Sequence, residues 1–399
     1  MPIPPIVALE IGTYKTVAVV GEVREGNHIL ITGIGKHPSK GVRKGEIIDL
    51  ENAVICARAA IEGAEESSEV AIRQVHLALS GGHIDSFVNR GSVPVLDQEG
   101  EISEDDVDQV MAVAKAVNLP PDREILHTIC RHFWVDEEQK VIRPEGMEGA
   151  KLSLDMLILH GVRNRQHNTV RVVKSVPMAV SDVAFSGLCS ALAVLSPEQK
   201  KRGALVIDLG AGTTDYLAYA GSVVAEAGSL GVGADHVTND IAQAFNVPLA
   251  QSERLKRAHG CAVVDSLSAA KRVSLPPQVG FSGKDVPLKS LNTVINMRVE
   301  ETLRMVKKRI DPAILKQAGA GVVLVGGGAH LKGIQRLAEK VFSLPCSKGK
   351  PRNVSGLATA TEGLEYAACV GMVQYALRSM SRQRQGAGIG GWIKGILRR

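Results

Sequence analysis

Two apolar stretches that turn on small residues occur about 200 positions apart in the chain. The first, residues 6–23, reads IVALEIGTYKTVAVVGEV, and the second, residues 203–224, reads GALVIDLGAGTTDYLAYAGSVV. Each predicts an apolar strand ending in an acidic residue, then a Gly/Thr turn and a second apolar strand, which is the pattern of a β-hairpin. Two such units predict a duplicated architecture.

Two further stretches extend this plan. The apolar run GVVLVGG at 321–327 predicts a third strand, and it is followed by glycines and the helix-like segment 331–342. Between the hairpins, residues 84–162 indicate several strands around a helix at 103–117. Ser103 suits the N-cap of that helix, and three acids occupy its first turn. These residues predict a small α+β insertion.

The polarity of the sequence changes twice near the end of the chain. Residues 378–388 are polar and contain glycine, which predicts a flexible linker. Residues 389–399 predict a helix about 16 Å long, too short for a hydrocarbon core of about 30 Å. At about 100° per residue, its apolar side chains share an arc of about 140°. We expect an amphipathic helix that binds anionic lipids in the membrane interface, with Ile389, Trp392, Ile393, Ile396 and Leu397 inward and Lys394 and Arg398 outward.

Composition narrows the function classes. Aromatic residues make up only 3% of the chain, so its cores must be built from aliphatic side chains. The net charge of +5 is spread without a basic stripe, which argues against nucleic-acid binding. Six cysteines without a CxxC pair favour free thiols in a reducing cytoplasm. Because the N-terminus does not resemble a signal peptide and no apolar run approaches about 20 residues, we expect a cytosolic protein with peripheral membrane contact.

The two Gly/Thr turns suit phosphate binding. Backbone N–H groups reach a phosphate only where side chains do not block the approach, and threonine hydroxyls add further bonds. Magnesium prefers one or two carboxylates plus water, and an acid ends the first strand of each hairpin. The pattern predicts ATP and Mg2+ as ligands, with the metal held through water by Glu10 and Asp208 and the phosphates by Gly12, Thr13, Gly210, Gly212, Thr213 and Thr214.

A single Gly-Thr turn usually does no more than close a hairpin. Here two matching turns are followed by a third apolar strand and by Gly-Gly-Gly-Ala at 326–329. This constellation resembles the superfamily of actin, Hsp70 and the sugar kinases. The resemblance implies that the third loop takes the adenosine of ATP through Gly327, Gly328 and Ala329.

Several segments are similar to the FtsA family of bacterial cell-division proteins, namely LEIGT at 9–13, HPSKGVRKGEIIDLENAV at 37–54, QVHLALSGGHIDS at 74–86, RLKRAHGCAV at 254–263 and GWIKGILRR at 391–399. The resemblance implies an α/β, actin-like duplicated ATPase fold in which subdomain 1C, an SHS2-type insertion, replaces actin's 1B. It assigns 1–83 and 163–197 to subdomain 1A, 84–162 to 1C, 198–227 and 306–354 to 2A, 228–305 to 2B, 355–377 to a return helix of 1A, 378–388 to the linker and 389–399 to the membrane helix.

The same resemblance implies a function. It suggests an ATP-binding protein that polymerises on the cytoplasmic face of the membrane at the division septum, tethers the tubulin-like FtsZ there, and contacts later division proteins through 1C. Glu253 and Lys256 would lie near the purine and ribose, and Arg298 would meet the FtsZ C-terminal peptide. On the residues alone, Lys256 is also typical of a solvated helix position, and Arg298 of an exposed helix charge with i,i+4 partners.

Hydrolysis is expected to be slow at most. Actin and MreB carry a Gln or Glu that orients the attacking water, whereas Phe185 or Ser186 falls at that place here. We therefore assign no catalytic residue and expect ATP to act mainly as a ligand that favours one closure of the cleft. A PilM-like platform protein of type IV pilus assembly is the alternative function, and a sugar kinase is disfavoured because no convincing base is found.

Overall fold

The computed structural model describes residues 3–97, 99–265, 270–277 and 279–384. Its strands, in chain order, are β1 (Ile6–Ile11), β2 (Lys15–Val23), β3 (Ile29–Pro38), β4 (Val42–Arg43), β5 (Glu46–Ile47), β6 (Gln74–Leu79), β7 (Asp85–Pro94), β8 (Arg123–Val135), β9 (Gln139–Val141), β10 (Lys151–Val162), β11 (Ala179–Phe185), β12 (Ala204–Leu209), β13 (Thr214–Ala220), β14 (Val223–Leu230), β15 (Arg272–Leu275), β16 (Lys284–Pro287), β17 (Val322–Val325), β18 (Cys346–Lys348) and β19 (Val354–Gly356). Its helices are α1 (Leu50–Ser68), α2 (Glu104–Lys115), α3 (Arg163–Ser175), α4 (Ser186–Val194), α5 (Pro197–Arg202), α6 (Ala234–Phe245), α7 (Leu249–His259), α8 (Leu288–Arg309), α9 (Pro312–Lys316), α10 (Ile334–Phe342), α11 (Ala358–Glu362) and α12 (Ala367–Arg384).

The two main sheets repeat one strand plan. The first has the order β11-β6-β1-β2-β3-β19, and the second has the order β14-β13-β12-β17-β18. In each sheet an antiparallel hairpin, β1–β2 or β12–β13, is extended beside its first strand by a parallel strand, β6 or β17. The duplication predicted from the two apolar hairpins is therefore confirmed, and it brings the two Gly/Thr turns to corresponding ends of the two sheets.

Strand alternation places helices on both faces of the first sheet. Ile6 and Ala8 of β1 pack in one cluster with α12, whereas Val7 and Leu9 pack in another with α1 and α3. Successive side chains of a strand point to opposite faces, so an uninterrupted apolar strand needs cover on both sides. The aliphatic cores expected from the low aromatic content are present in both clusters.

The insertion between the hairpins forms its own sheet of order β7-β10-β8-β9, covered by α2. Ser103 caps α2 as predicted: its Oγ accepts from Asp106 N–H at 3.2 Å, and Asp106 Oδ2 accepts from Ser103 N–H at 2.9 Å. The insertion is not isolated from the rest of the chain, since Leu157 and Leu159 of β10 share a buried cluster with Phe185.

Two sequence expectations need correction. Helix α10 begins at Ile334 rather than 331, because a 3₁₀ turn occupies Gly327–His330. Helix α12 runs to Arg384, so residues 378–384 of the predicted linker are helical. The helix continues because Leu377 and Met380 still pack against the first-sheet cluster. The predicted membrane helix at 389–399 lies outside the described residues. In the part of the chain that is described, no helix combines the length and apolarity needed to cross a bilayer.

Candidate functional site

A cavity of about 590 Å³ opens where the hairpin turns of the two sheets face each other. Both turns close in the same way: Gly12 N–H donates to Lys15 O at 3.0 Å, and Gly210 N–H donates to Thr213 O at 2.9 Å. The six predicted phosphate-binding residues all line this cavity. The structure therefore brings together two turns that are about 200 residues apart in the chain.

The turns approach each other closely enough to require glycine at one position. A Cβ added to Gly212 would overlap Thr13 Oγ1 and lie 2.9 Å from Lys44 N. Thr13 is held in place because its Oγ1 accepts from Gly45 N–H at 3.0 Å. Glycine at position 212 thus lets the backbone of the second turn approach the first turn, as phosphate binding requires.

Both predicted metal-side carboxylates lie in the cavity. Burial raises the pKa of Glu10 to about 7, and its Oε2 is shielded from solvent without a hydrogen-bond partner among the described residues. Burial also raises the pKa of Asp208, although Ser190 Oγ donates to its Oδ2 at 2.6 Å. Shielded carboxylates of this kind gain from a cation, so the donor set fits a magnesium ion.

The described residues contain no group of three or more His, Cys, Asp or Glu arranged to hold a metal ion by itself. Magnesium dehydrates reluctantly and usually keeps several waters, with one or two carboxylates and substrate phosphates completing its shell. The arrangement of Glu10 and Asp208 suits a metal that arrives with the nucleotide.

Sequence reasoning missed a third buried carboxylate. Asp215 of β13 is 4% exposed, and burial, reinforced by the charge of Asp208, raises its pKa to about 8. Ser80 Oγ, at the end of β6, donates to Asp215 Oδ1 at 2.7 Å and so joins the first half of the molecule to the second. Hairpin register could have revealed it, because Asp208 and Asp215 are directly paired.

Lys15 was also missed. Its Nζ donates to Glu365 O at 2.7 Å and lies 3.9 Å from the centre of the Tyr366 ring. Burial lowers the pKa of Lys15, while the charge of Glu10 opposes that shift. This cation lines the cavity beside the first turn, where it can neutralise charge on a bound phosphate.

We predict that Glu10→Gln stabilises the nucleotide-free protein at pH 8. A carboxyl whose folded pKa lies above its unfolded value loses stability as pH rises, here between about 4.5 and about 7. A shift of that size corresponds to about 3 kcal/mol. Urea unfolding at pH 5 and pH 8 measures it, with the exposed Glu66→Gln as control. An unfolding free energy that rises equally at both pH values would contradict the assignment.

The structure places the three predicted residues of the third loop in different surroundings. Gly327 and Gly328 line the cavity, but Ala329 is fully buried in the second-sheet cluster and does not face it. The 3₁₀ turn directs successive residues to different sides, which places Ala329 inward. Gly326 is the closer neighbour of the carboxylates, since a Cβ there would overlap Asp208 Oδ1.

Glu253 and Lys256 of α7 both line the cavity and pair with each other at 2.6 Å. Lys256 is only 9% exposed, and its Nζ also donates to Ala234 O at 3.0 Å and to Thr238 Oγ1 at 2.8 Å. All three protons of this ammonium group have protein acceptors. Lys256 therefore ties α7 to α6 and is not a solvated helix residue.

The structure places the two candidates for the water-orienting position in different surroundings. Phe185 ends β11 and is buried in the core, whereas Ser186 begins α4 and lines the cavity. The Oγ of Ser186 is shielded and has no partner among the described residues. A hydroxyl is a poor general base, so the site lacks a carboxylate or carboxamide at this place.

Arg298 lies on α8 and does not itself line the cavity, although its neighbour Val299 does. Its Nε and Nη2 donate to the two carboxylate oxygens of Asp240 on α6, at 2.6 and 3.1 Å. It also pairs with Glu301 one turn further along the helix. The Arg298 side chain is 28% exposed and joins two helices.

Comparison with solved structures identifies the fold. The chain resembles the structure titled "PilM-PilN type IV pilus biogenesis complex", with a TM-score of 0.62, 15% identity, and coverage of 93% of this chain and 98% of that one. It also resembles the structure of MreB5 of Spiroplasma citri bound to ADP, with a TM-score of 0.56 and 14% identity, covering 96% of this chain and 99% of that one. These likenesses support the predicted actin-like fold.

Sequence comparison identifies the family. The family model "Cell division protein FtsA" matches residues 205–371, and "SHS2 domain inserted in FTSA" matches residues 81–160. The chain is 32% identical to the cell division protein FtsA of Escherichia coli K12, covering 98% of this chain and 96% of that protein. It is 35% identical to FtsA of Borreliella burgdorferi, covering 93% of this chain and 90% of that protein. The chain therefore belongs to the FtsA family of cell division proteins.

Proposed function

We propose that the protein binds ATP, polymerises on the cytoplasmic face of the membrane at the division septum, and attaches FtsZ filaments there. The observation that carries the proposal is the pair of matched glycine turns over shielded carboxylates, in a chain of the FtsA family. Localisation of a fluorescent fusion in dividing cells tests it. A fusion spread evenly along the membrane in cells with assembled FtsZ rings would contradict a septal role.

In this proposal the nucleotide lies between the two sheets. The turns at Gly12 and Gly210 bind the phosphates, and Glu10 and Asp208 hold Mg2+ through water. The adenosine lies between the loop at 327–328 and Glu253 of α7. A structural neighbour is described as bound to AMPPNP, which is consistent with a nucleotide in this cleft.

The nucleotide is expected to act mainly as a clamp. Ser80 of the first half already donates to Asp215 of the second, so a ligand that adds bonds to both turns favours the closed arrangement. Turnover is expected to be slow, because Ser186 stands where a water-orienting carboxylate would be needed. ATP is then a ligand that selects a conformation suited to polymerisation.

The insertion 84–162 is proposed as subdomain 1C, the contact to a neighbouring subunit and to later division proteins. Its junction is tied to the second half of the molecule, since Ser86 Oγ donates to Ala227 O of β14 at 2.5 Å and Arg309 at the end of α8 pairs with Asp85 at 3.2 Å. Deleting the whole insertion would expose the buried cluster that Leu157 and Leu159 share with Phe185. Surface substitutions are therefore better probes than deletion.

We propose that the region around α6 and α8, within subdomain 2B, binds the FtsZ C-terminal peptide, with Arg298 contacting it. Met297 beside it is 67% exposed, which leaves apolar surface for a peptide. A peptide carboxylate would have to compete with Asp240, which now holds Arg298 in two hydrogen bonds.

We predict that Arg298→Ala weakens FtsZ-peptide binding at least tenfold, a loss in the range of a charge-assisted hydrogen bond. Asp240→Asn is the matched variant, because it releases the guanidinium but keeps it on α8. Binding by Asp240→Asn should be retained or increased in fluorescence anisotropy. Equal losses in both variants would show that Arg298 only braces α6 against α8.

A PilM-like role in pilus assembly is the alternative. The structural likeness to PilM at 15% identity supports a common fold, whereas 32% identity across 98% of the chain supports cell division. Pull-down with an FtsZ C-terminal peptide and with a pilus-protein N-terminal peptide separates them. Retention of the pilus peptide alone would favour the alternative.

A further inference from the structure

A second cavity, of about 280 Å³, lies outside the nucleotide cleft and shares no lining residue with it. It is bounded by Val194 at the end of α4, Gln199 of α5, Val323 of β17 and the segment 347–352. About 10–15 Å³ of such space suffices for one water molecule, so the cavity has room for a tetrahedral phosphate group. Nothing in the proposed nucleotide or peptide binding uses it.

Three cations border this cavity within five positions of the chain. Lys348, Lys350 and Arg352 are exposed and line it, and we call them the basic rim. Lys348 and Arg352 form no ion pair within 4.0 Å with any described residue, and Lys350 has only the exposed Glu362 at 3.8 Å. Exposed pairs of this kind contribute little, so the basic rim is available to an anion.

Neighbouring helices add to the positive charge. Helix α5 carries the sequence KKR at 200–202, and the charge of Arg378 on α12 acts on Lys200. Burial, assisted by the charge of Arg378, lowers the pKa of Lys200 to about 8. Besides Glu362, the acid Glu198 lies near the rim, and its pKa is lowered by hydrogen bonds at the start of α5 and, to a smaller extent, by the charge of Arg352. Cations therefore outnumber acids around the cavity.

The backbone under the basic rim is held at three places. Gly349 N–H donates to Leu324 O at 2.9 Å, Arg352 N–H donates to Ala193 O at 2.8 Å, and Gln374 Nε2 donates to Arg352 O at 2.7 Å. These bonds tie the segment to β17, α4 and α12 together. The basic rim is a built part of the surface and not the tip of a free loop.

The basic rim also lies beside the helix that leads to the predicted membrane tail. Gln374, bonded to the rim, is ten residues before the end of α12, or about 15 Å along its axis. Residues 385–399 can reach at most about 50 Å beyond that end. A membrane bound by the tail therefore lies within range of the basic rim.

We propose that this cavity and its basic rim bind the phosphate groups of anionic lipid headgroups, as a second membrane contact besides the tail. The inference rests on the proposed membrane attachment. A single short amphipathic segment gives marginal binding, and stable anchoring generally takes two signals, such as one apolar anchor and one polybasic patch. Each Lys or Arg near an anionic surface strengthens binding about fivefold, so three give about 100-fold before screening.

The test uses the full chain carrying Lys348→Gln, Lys350→Gln and Arg352→Gln together. Binding to phosphatidylcholine vesicles with about 30% phosphatidylglycerol should fall at least tenfold and become less salt-dependent. The matched control removes three exposed cations from the opposite face of the first sheet, as Arg58→Gln, Arg171→Gln and Lys174→Gln. It should bind within about twofold of the parent chain. Equal losses in both triple variants would overturn the proposal, because general charge would then explain them.

Two further experiments distinguish this proposal from attachment by the tail alone and from binding of soluble phosphate. Suppose that Trp392→Glu releases the protein while the rim variant binds like the parent chain. The tail is then the membrane anchor, and the proposed second contact is overturned. If the rim variant is released and Trp392→Glu is not, the basic rim is the membrane contact and the assignment of the tail as anchor is wrong. Inorganic phosphate, titrated by calorimetry, tests a soluble ligand. Tight phosphate binding that the rim variant abolishes, with vesicle binding unchanged, would assign the cavity to free phosphate and overturn the lipid proposal.

Discussion

Replacement of Gly212 by valine should lower ATP affinity at least 100-fold. A Cβ at this position would overlap Thr13 Oγ1 and lie 2.9 Å from the Cα and N of Lys44. The second turn would have to move away from the first, and backbone N–H groups aimed at one phosphate chain could no longer reach it together. The loss of two or three charge-assisted bonds is enough for an effect of this size.

The matched control is Gly231→Ala. A Cβ there would meet Lys44 Cδ at 3.7 Å and Gly82 Cα at 3.8 Å, which are ordinary contacts. Calorimetry with ATP and Mg2+ should therefore give the parent affinity for Gly231→Ala and no measurable heat for Gly212→Val. Circular dichroism of both variants checks the fold. Parent-like affinity in folded Gly212→Val would place the nucleotide elsewhere.

Trp392→Glu should release the protein from anionic vesicles. Burying the five apolar side chains of the predicted tail contributes about 8–12 kcal/mol gross. Ordering its eleven backbone residues costs about 10 kcal/mol or more. Because these magnitudes nearly cancel, replacing the largest of the five apolar side chains by a carboxylate is expected to abolish attachment. Filaments present many tails together, so avidity is expected to convert weak contacts into stable binding.

Gly391→Glu is the control, since it adds the same charge on the opposite side of the predicted helix. Vesicle co-sedimentation should show release for Trp392→Glu and a smaller loss for Gly391→Glu. A variant that cannot polymerise but keeps the tail should bind much more weakly than the parent chain. Co-sedimentation of Trp392→Glu at the parent level would mean that the tail is not the anchor.

Features that depend on local order were predictable from the sequence. Alternating apolar strands around small-residue turns indicated both hairpins, and Ser103 with its acidic first turn indicated where α2 begins. The hairpin repeat also indicated the duplication, because two similar segments fold into similar units. Segments such as LEIGT at 9–13 indicated the family from the sequence alone.

Features that depend on distant partners were not predictable. Ser80 and Asp215 are hydrogen-bonded although 135 positions separate them, and Arg298 and Asp240 although 58 positions do. No local sequence pattern predicts either pair. Lys256 looked like a solvated helix residue because its acceptors on α6 are outside its own turn. The direction of Ala329 and the continuation of α12 past residue 378 were decided by packing against surfaces built elsewhere in the chain.

The amino-acid sequence by itself determined the hairpin strand pairs, the glycine turns and the family, because each depends on neighbouring residues, and it predicted an amphipathic tail. Only the tertiary structure decided which of these groups meet. It set two turns against each other over shielded carboxylates, and it placed the basic rim beside α12. The physical reason is that desolvation, close approach and charge clustering are properties of residues brought together in space, and they raise or lower pKa values only after the chain has folded.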